Sequence, residues 1–233
     1  LLIAGKRGQG KLSRRLDLGP SKRIVFGFGR DRYNLRCLPL DFPSWKVERP
    51  GQPARDYYIA GWRSGHTHQA YVVIFDSYGT PIWWLRSPEG VLGAQLLAGG
   101  QVVFSRSYGS GYGASPRMGH EVHALDGRLL RVIKARRGEI TDHHEFRPLD
   151  GGGALINSYS RRYGVDLSGF GGPEQAIIVD GVIQELDARG KLVWSWRSED
   201  HVGLEEAERW WPKLIENVKS HDDGEEVYDP FHL

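Results

Sequence analysis

Three histidines are the side chains of this chain best placed, by type and spacing, to do chemistry. His143 and His144 lie in Thr141–Leu155 (TDHHEFRPLDGGGAL), and His232 lies in Asp229–Leu233 (DPFHL). Imidazole titrates near neutral pH and its neutral form is a nucleophile, so these residues suit proton transfer or group transfer. The two segments predict one site built from equivalent positions of two repeats. The alternative is a structural role, in which each ring hydrogen-bonds to the backbone of a neighbouring repeat.

The remaining histidines do not predict a metal site. His120 and His123 bracket Glu121, and side chains three apart on a strand point to opposite faces. His66 and His68 lie in a Gly/Ser-rich loop, and two histidines fall short of the three protein ligands usual for a catalytic zinc. The sequence also lacks the Gly-x-Ser-x-Gly elbow of hydrolases and the Gly-Lys-Ser/Thr loop that binds phosphate. We therefore predict neither a metal nor a cofactor.

Composition excludes several classes of function. The chain has 233 residues and a net charge of +2, which is too small to indicate a nucleic-acid-binding protein. No apolar run in the sequence approaches the ~18 residues of a membrane span. The single cysteine, Cys37, cannot form an intramolecular disulfide and has no paired histidine nearby in sequence, so it is a poor candidate nucleophile. None of these features fixes the compartment in which the protein works.

One hairpin pattern recurs along the chain and must position these residues. An apolar strand, an Asp-containing turn with Gly and a second strand occur in Tyr71–Trp84, Glu121–Ile133 and Val182–Trp196. Between them, hairpins with Gly-rich turns are predicted around residues 98–100 and 150–153. Two such hairpins make a four-stranded antiparallel blade, so we predict an all-β protein, a β-propeller with three to four blades in this chain.

A helical segment and a basic arm complete the predicted organisation. Apolar residues recur at helical spacing after residue 203, which predicts one inserted amphipathic helix at about residues 204–219. Pro212 either kinks this helix or marks its true start. Residues 1–31 form a basic, Gly-rich arm with one strand predicted at Arg23–Phe28, and residues 32–233 form the partial propeller domain.

The repeat pattern stops in mid-repeat, so we expect fewer blades in this sequence than a closed ring needs. The sheet edges left without a neighbour would present unpaired backbone groups, which favour pairing with another chain. The expected consequence is self-association through open blade edges.

One segment carries a resemblance to a known family. Thr141–Tyr159 (TDHHEFRPLDGGGALINSY) is similar to the histidine-containing strand of arylsulfotransferase-family propellers. In that family the pattern is His-Asp, an apolar residue, Leu-Pro-Asn-Gly-Asn and an apolar run, and here His144-Glu145-Phe146 is followed by Leu149–Gly153. Further similar segments are Val165–Gly172, Asp180–Asp187, Gly190–Trp196 and Asp229–Leu233. The resemblance spans about Tyr33 to Leu233.

The resemblance implies a six-bladed propeller that transfers a sulfuryl group from an aryl sulfate to a phenol through a sulfated histidine, without a nucleotide donor. His144 then matches a donor to substrate oxygens, His232 matches the His of a His-x-Asn pair, and His143 is a candidate for substrate binding. The nucleophilic histidine of the family belongs to a later His-Asp strand, which is expected beyond Leu233. The expected partners are a small-molecule aryl sulfate and a phenol, with no nucleic acid and no membrane span.

Two departures from the family pattern leave other functions open. Glu145 stands where the family has Asp, and the turn lacks the Asn. One alternative is a non-catalytic propeller that binds a partner on its face. A quinone-cofactor propeller dehydrogenase would suit the Trp-rich strands, but the sequence lacks a cluster of calcium-ligating acids. Relatives are often exported, and no signal peptide is recognisable in this sequence, so localisation is not predicted.

Overall fold

The computed structural model describes residues 30, 37–48, 51–62, 70–108, 115–218 and 224–232, together with the backbone of strand residues 2–3, 12–13, 23–28, 31–36, 63 and 219–220. The chain divides into two compact units, residues 1–45 and residues 46–233.

The first unit contains two antiparallel hairpins. β1 (Leu2–Ile3) pairs with β2 (Leu12–Ser13), and β3 (Arg23–Phe28) pairs with β4 (Asp31–Arg36). The predicted strand at Arg23–Phe28 is confirmed. Most of the predicted basic arm, residues 1–31, lies outside the described residues, so its solvated character stays a prediction.

The second unit contains three antiparallel sheets, each formed by consecutive strands. The first sheet contains β5 (Tyr57–Arg63), β6 (Ala70–Asp76) and β7 (Pro81–Ser87). The second contains β8 (Gly90–Leu97), β9 (Gln101–Ser107), β10 (His120–Ala124) and β11 (Leu129–Ile133). The third contains β12 (Ile140–Pro148), β13 (Ala154–Val165), β14 (Ala176–Leu186) and β15 (Leu192–Arg197). A short pair, β16 (Lys219–Ser220) and β17 (Glu226–Val227), lies near the end.

The turns of these sheets form as their sequences predict. Asp76 Oδ1 accepts the backbone N–H of Thr80 at 2.8 Å, and Asp187 Oδ1 accepts that of Lys191 at 2.8 Å. An aspartate that hydrogen-bonds to the backbone in this way closes a tight turn between two strands. Four-stranded meanders of this kind are the blades of a propeller, so the predicted all-β, propeller-like class is confirmed.

The core lies between the faces of neighbouring sheets. Successive side chains of a strand point to opposite faces, and β9 shows the result. Val102 packs in a cluster with Val72 of the first sheet, whereas Val103 packs with Ile156 of the third sheet. The strand β9 is therefore buried on both faces, whereas the outer strand β11 of the same sheet is mostly exposed.

The predicted helix is present but has two parts. Leu204–Trp210 is a 3₁₀-helix, and α1 follows at Trp211–Glu216. Pro212 is the second residue of α1, so it marks the start of the α-helix and does not kink it. Ala207 and Trp211 are buried against Ile178 of β14, which gives the segment its apolar face. Within the described residues, no helix combines the length and the apolar character that a membrane crossing requires.

Candidate functional site

A wide bulge in β12 organises the site. Thr141 pairs with Ser158 and Phe146 pairs with Ile156, so four residues of β12 lie opposite one residue of β13. The four are Asp142, His143, His144 and Glu145. A bulge frees side chains from the alternation of the ladder and aims them in new directions. The two histidines singled out in the sequence therefore do not follow strand geometry.

The neighbouring strand β8 holds this bulge in place. The Gln95 side chain donates from Nε2 to the Phe146 carbonyl at 2.6 Å. Gly93 has a φ of +60°, and a Cβ at this position would lie 3.2 Å from the His144 carbonyl oxygen. A glycine is needed here for its backbone conformation, and its lack of a side chain leaves room for the β12 backbone.

His144 is oriented by a buried carboxylate. Asp142 has no exposed surface, its Oδ1 lies 2.8 Å from His144 Nδ1, and its Oδ2 accepts the His144 backbone N–H at 2.8 Å. The carboxylate accepts a hydrogen bond from Nδ1–H, so the ring directs Nε2 away from Asp142. The His144 side chain is 42% exposed.

His232 repeats this arrangement. Its Nδ1 lies 2.6 Å from Oδ2 of Asp229, whose side chain is only 3% exposed. Tyr159 of β13 stacks against the His232 ring with centroids 5.5 Å apart, and its hydroxyl lies 3.5 Å from Nδ1. A buried carboxylate and an aromatic wall therefore fix the second histidine.

The structure brings the three predicted histidines together. The ring centroids of His144 and His232 lie 5.4 Å apart at an interplanar angle of 76°, and those of His143 and His144 lie 4.2 Å apart. His143 is buried, with Nδ1 3.3 Å from the Met118 sulfur. A one-residue register slip would exchange the two neighbours, and the bulge leaves His144 as the exposed one. The role of His143 in substrate binding stays a prediction.

A fourth histidine lies behind the site. His120 of β10 is buried, and its Nδ1 lies 2.6 Å from the Ser105 hydroxyl. Its Nε2 has no hydrogen-bond partner in the part of the chain that the structure describes. Burial lowers the pKa of His120 to about 4, against an opposing effect of the nearby Asp142 carboxylate. His120 is therefore a neutral member of the cluster at neutral pH.

Sequence reasoning missed the two carboxylates. Asp142 and Asp229 stand two and three residues before the histidines that they hold, within segments that the sequence had already singled out. The family comparison directed attention to Glu145, which is exposed, whereas Asp142 makes the contact. Side chains two apart share a face of a strand, so the alternation of β12 could have indicated the Asp142–His144 pair.

His123, which the sequence paired with His120, has contacts other than the three predicted histidines. His66 and His68 lie outside the described residues. His123 contacts Glu121 at 2.9 Å through Nε2 and stacks on Phe104. Among the described residues, no group of three or more His, Cys, Asp or Glu side chains is arranged to hold a metal ion.

Comparison with known proteins identifies the family. No curated protein matches this chain. A family model described as Arylsulfotransferase (ASST) matches residues 93–233, more than half of the 233 residues. The match begins at Gly93 in β8 and includes the β12 bulge and His232, whereas the resemblance expected between residues 33 and 92 lies outside it. The chain therefore belongs to the arylsulfotransferase family.

Proposed function

We propose that this protein transfers a sulfuryl group from an aryl sulfate to a phenol, with a histidine carrying the group between them. The observation that supports this proposal most directly is the pair of half-exposed imidazoles, each backed by a buried carboxylate. Family membership supports the reaction class. The donor, the acceptor and the covalent intermediate are parts of the proposal.

His144 and His232 bind the non-bridging oxygens of the sulfuryl group in this proposal. Each ring contacts a carboxylate through Nδ1, at 2.8 Å for His144 and 2.6 Å for His232. Such a carboxylate stabilises the imidazolium, which then donates from Nε2. Donors aimed at oxygens that gain charge lower the barrier to transfer, as in other group-transfer sites.

The assay for this proposal is release of nitrophenolate from 4-nitrophenyl sulfate in the presence of phenol. Replacing His144 with alanine removes one donor, so we expect transfer to fall by ~10²–10³-fold. The melting temperature should fall, because the buried Asp142 loses its ring partner, so transfer is compared at a temperature well below the unfolding transition of the variant. Activity equal to the wild type would contradict the proposal.

His201→Ala is the matched control. His201 is exposed and stacks on Trp196 of the outer strand β15, so its loss should leave transfer unchanged.

A further inference from the structure

A cleft beside the histidine pair has the composition of an anion-binding site. It has a volume of about 400 Å³ and is lined by residues that include Arg137, Glu139, Tyr159, Arg161, Tyr163 and Arg197. That volume lies within the range of ~300–1,000 Å³ usual for small-molecule sites. The lining contains three arginines and one glutamate, and two further carboxylates, Glu199 and Glu225, contact two of these arginines.

Tyr159 connects this cleft to the histidines. The same tyrosine lines the cleft and stacks on His232. It pairs with Ile140, the first residue of β12, which also lines the cleft and precedes His144 by four residues. A small aromatic molecule whose reacting oxygen lies at the histidines therefore has the cleft as the neighbouring space for its ring and substituents.

Two of the arginines are held by carboxylates. Arg161 Nη1 lies 2.5 Å from Glu225, which also accepts the Tyr163 hydroxyl at 3.2 Å. Arg197 contacts Glu139 and Glu199, and these hydrogen bonds, that to Glu199 above all, raise its pKa. Both guanidinium groups are therefore fixed parts of the wall.

Arg137 differs from these two. It is exposed, and within the described residues it forms no ion pair with a carboxylate. Its guanidinium is therefore the one of the three that a ligand can engage without displacing a partner.

The backbone of Arg137 supports a role in binding. Its φ is +60°, and Gly138 follows at +82° in a turn closed by the Glu139 N–H to the Arg136 carbonyl at 3.3 Å. A turn with two positive φ values favours Gly or Asn, and another residue in the left-handed region costs about 1–2 kcal/mol. Folding alone gives no reason for an arginine at this point, whereas an anionic ligand in the cleft does.

We propose that this cleft binds the ring of a phenol or aryl sulfate that carries an acidic substituent, with Arg137 as the group that contacts the acid. The inference rests on the proposed function, because the histidines define where the phenolic oxygen lies. It adds a preference among substrates that the family reaction does not specify.

Equilibrium binding tests this preference without any turnover. The probes are 4-hydroxybenzoate and the isosteric but neutral 4-hydroxybenzamide, titrated calorimetrically into the full chain. A charge-assisted hydrogen bond should make the benzoate bind about tenfold more tightly than the amide. Arg137→Gly should abolish this preference without lowering the melting temperature, since glycine suits the turn, and Arg137→Lys should retain part of it.

The matched control is Arg128→Gln, which removes an exposed arginine from the β10–β11 turn and should keep the preference. Equal binding of both probes by the wild type, absence of binding, or an unchanged preference in Arg137→Gly would each overturn the inference. Failure of sulfuryl transfer with the benzoate preference intact would instead overturn the proposed reaction and leave the acid-binding cleft standing.

Discussion

The first strands of the second and third sheets, β8 and β12, each contain a bulge that interrupts pairing with the next strand, and the two bulges differ. In β8, Leu92 pairs with Ser105 and Gln95 pairs with Val103, so the bulge adds one residue and contains Gly93 and Ala94. In β12 the bulge adds three residues, and its side chains are those of Asp, His, His and Glu. The same structural device therefore serves two purposes in adjacent sheets.

Packing explains the bulge of β8, but it does not explain the larger bulge of β12. Gly93 leaves room for the β12 backbone, and Ala94 packs against the core between the first two sheets. The β12 bulge places a carboxylate, Asp142, where it has no exposed surface. Burying a charge costs free energy unless it is paired, and a hydrophobic residue there would serve stability as well or better. The comparison favours the proposal that the polar bulge serves to orient His144.

Of the substitutions that test the role of the β12 bulge, Asp142→Asn should have the largest effect on transfer. The amide keeps the size of the side chain but removes the carboxylate that His144 Nδ1 contacts at 2.8 Å, so the ring loses its orientation and sulfuryl transfer should fall by ~10²–10⁴-fold. The rate of transfer from 4-nitrophenyl sulfate measures this effect.

Two controls separate positioning from folding in the Asp142 variant. Asp126→Asn changes an exposed aspartate in the β10–β11 turn and should leave transfer unaffected. In a His144→Ala background, Asp142→Asn should add little, since both substitutions remove the same unit. Independent, multiplying losses would show that Asp142 does not act through His144.

Because His120 is buried, we expect the protein to lose stability in acid, and His120→Asn should reduce this loss. Its folded pKa of about 4 lies below the unfolded value of 6.5, so protonation favours the unfolded state. This contribution is absent above pH 6.5 and grows as pH falls toward 4, where it reaches about 3 kcal/mol. Urea unfolding at pH 7 and pH 4.5 measures the difference. If the unfolding free energy falls equally from pH 7 to pH 4.5 in the wild type and in His120→Asn, His120 does not titrate in this way.

Gly93→Ala should make the bulge of β8 clash with the bulge of β12. The positive φ costs about 1–2 kcal/mol, and the new Cβ meets the His144 carbonyl at 3.2 Å, so both stability and transfer should decrease. Gly99→Ala is a sharp control, because Gly99 has a φ of +81° and nothing within 4 Å. It should lose similar stability in thermal unfolding but keep full transfer activity. Equal transfer activity in the two variants would show that β8 does not position His144.

Much of the fold was predictable because its signals are local. Turns such as Asp126–Gly127, between alternating strands, fixed the hairpins, and the spacing of apolar residues located the helical segment. The division of that segment was not predicted, since a 3₁₀-helix and an α-helix share their apolar positions over one or two turns. The α-helix ends at Glu216, before the predicted residue 219, because the spacing of apolar residues does not locate the exact end of a helix.

The candidate site was predictable in part. His144 and His232 could be singled out by type and recurrence, and the structure brings them together. Asp142 was missed because the family pattern directed attention to Glu145, although side chains two apart share a face of a strand. Arg137 could not be singled out, since its significance lies in a backbone angle that only the folded turn reveals.

The double burial of β9 has a consequence for local opening of the molecule. Val102 and Val103 anchor this strand in two separate cores, so separation of the first sheet or of the third leaves it held by the other. The amides of β9 should accordingly be among the last to exchange with solvent, in the manner of a slow-exchange unit. Ser105, which contacts His120, lies on this strand. The floor of the histidine cluster is thus expected to rest on a slowly exchanging strand.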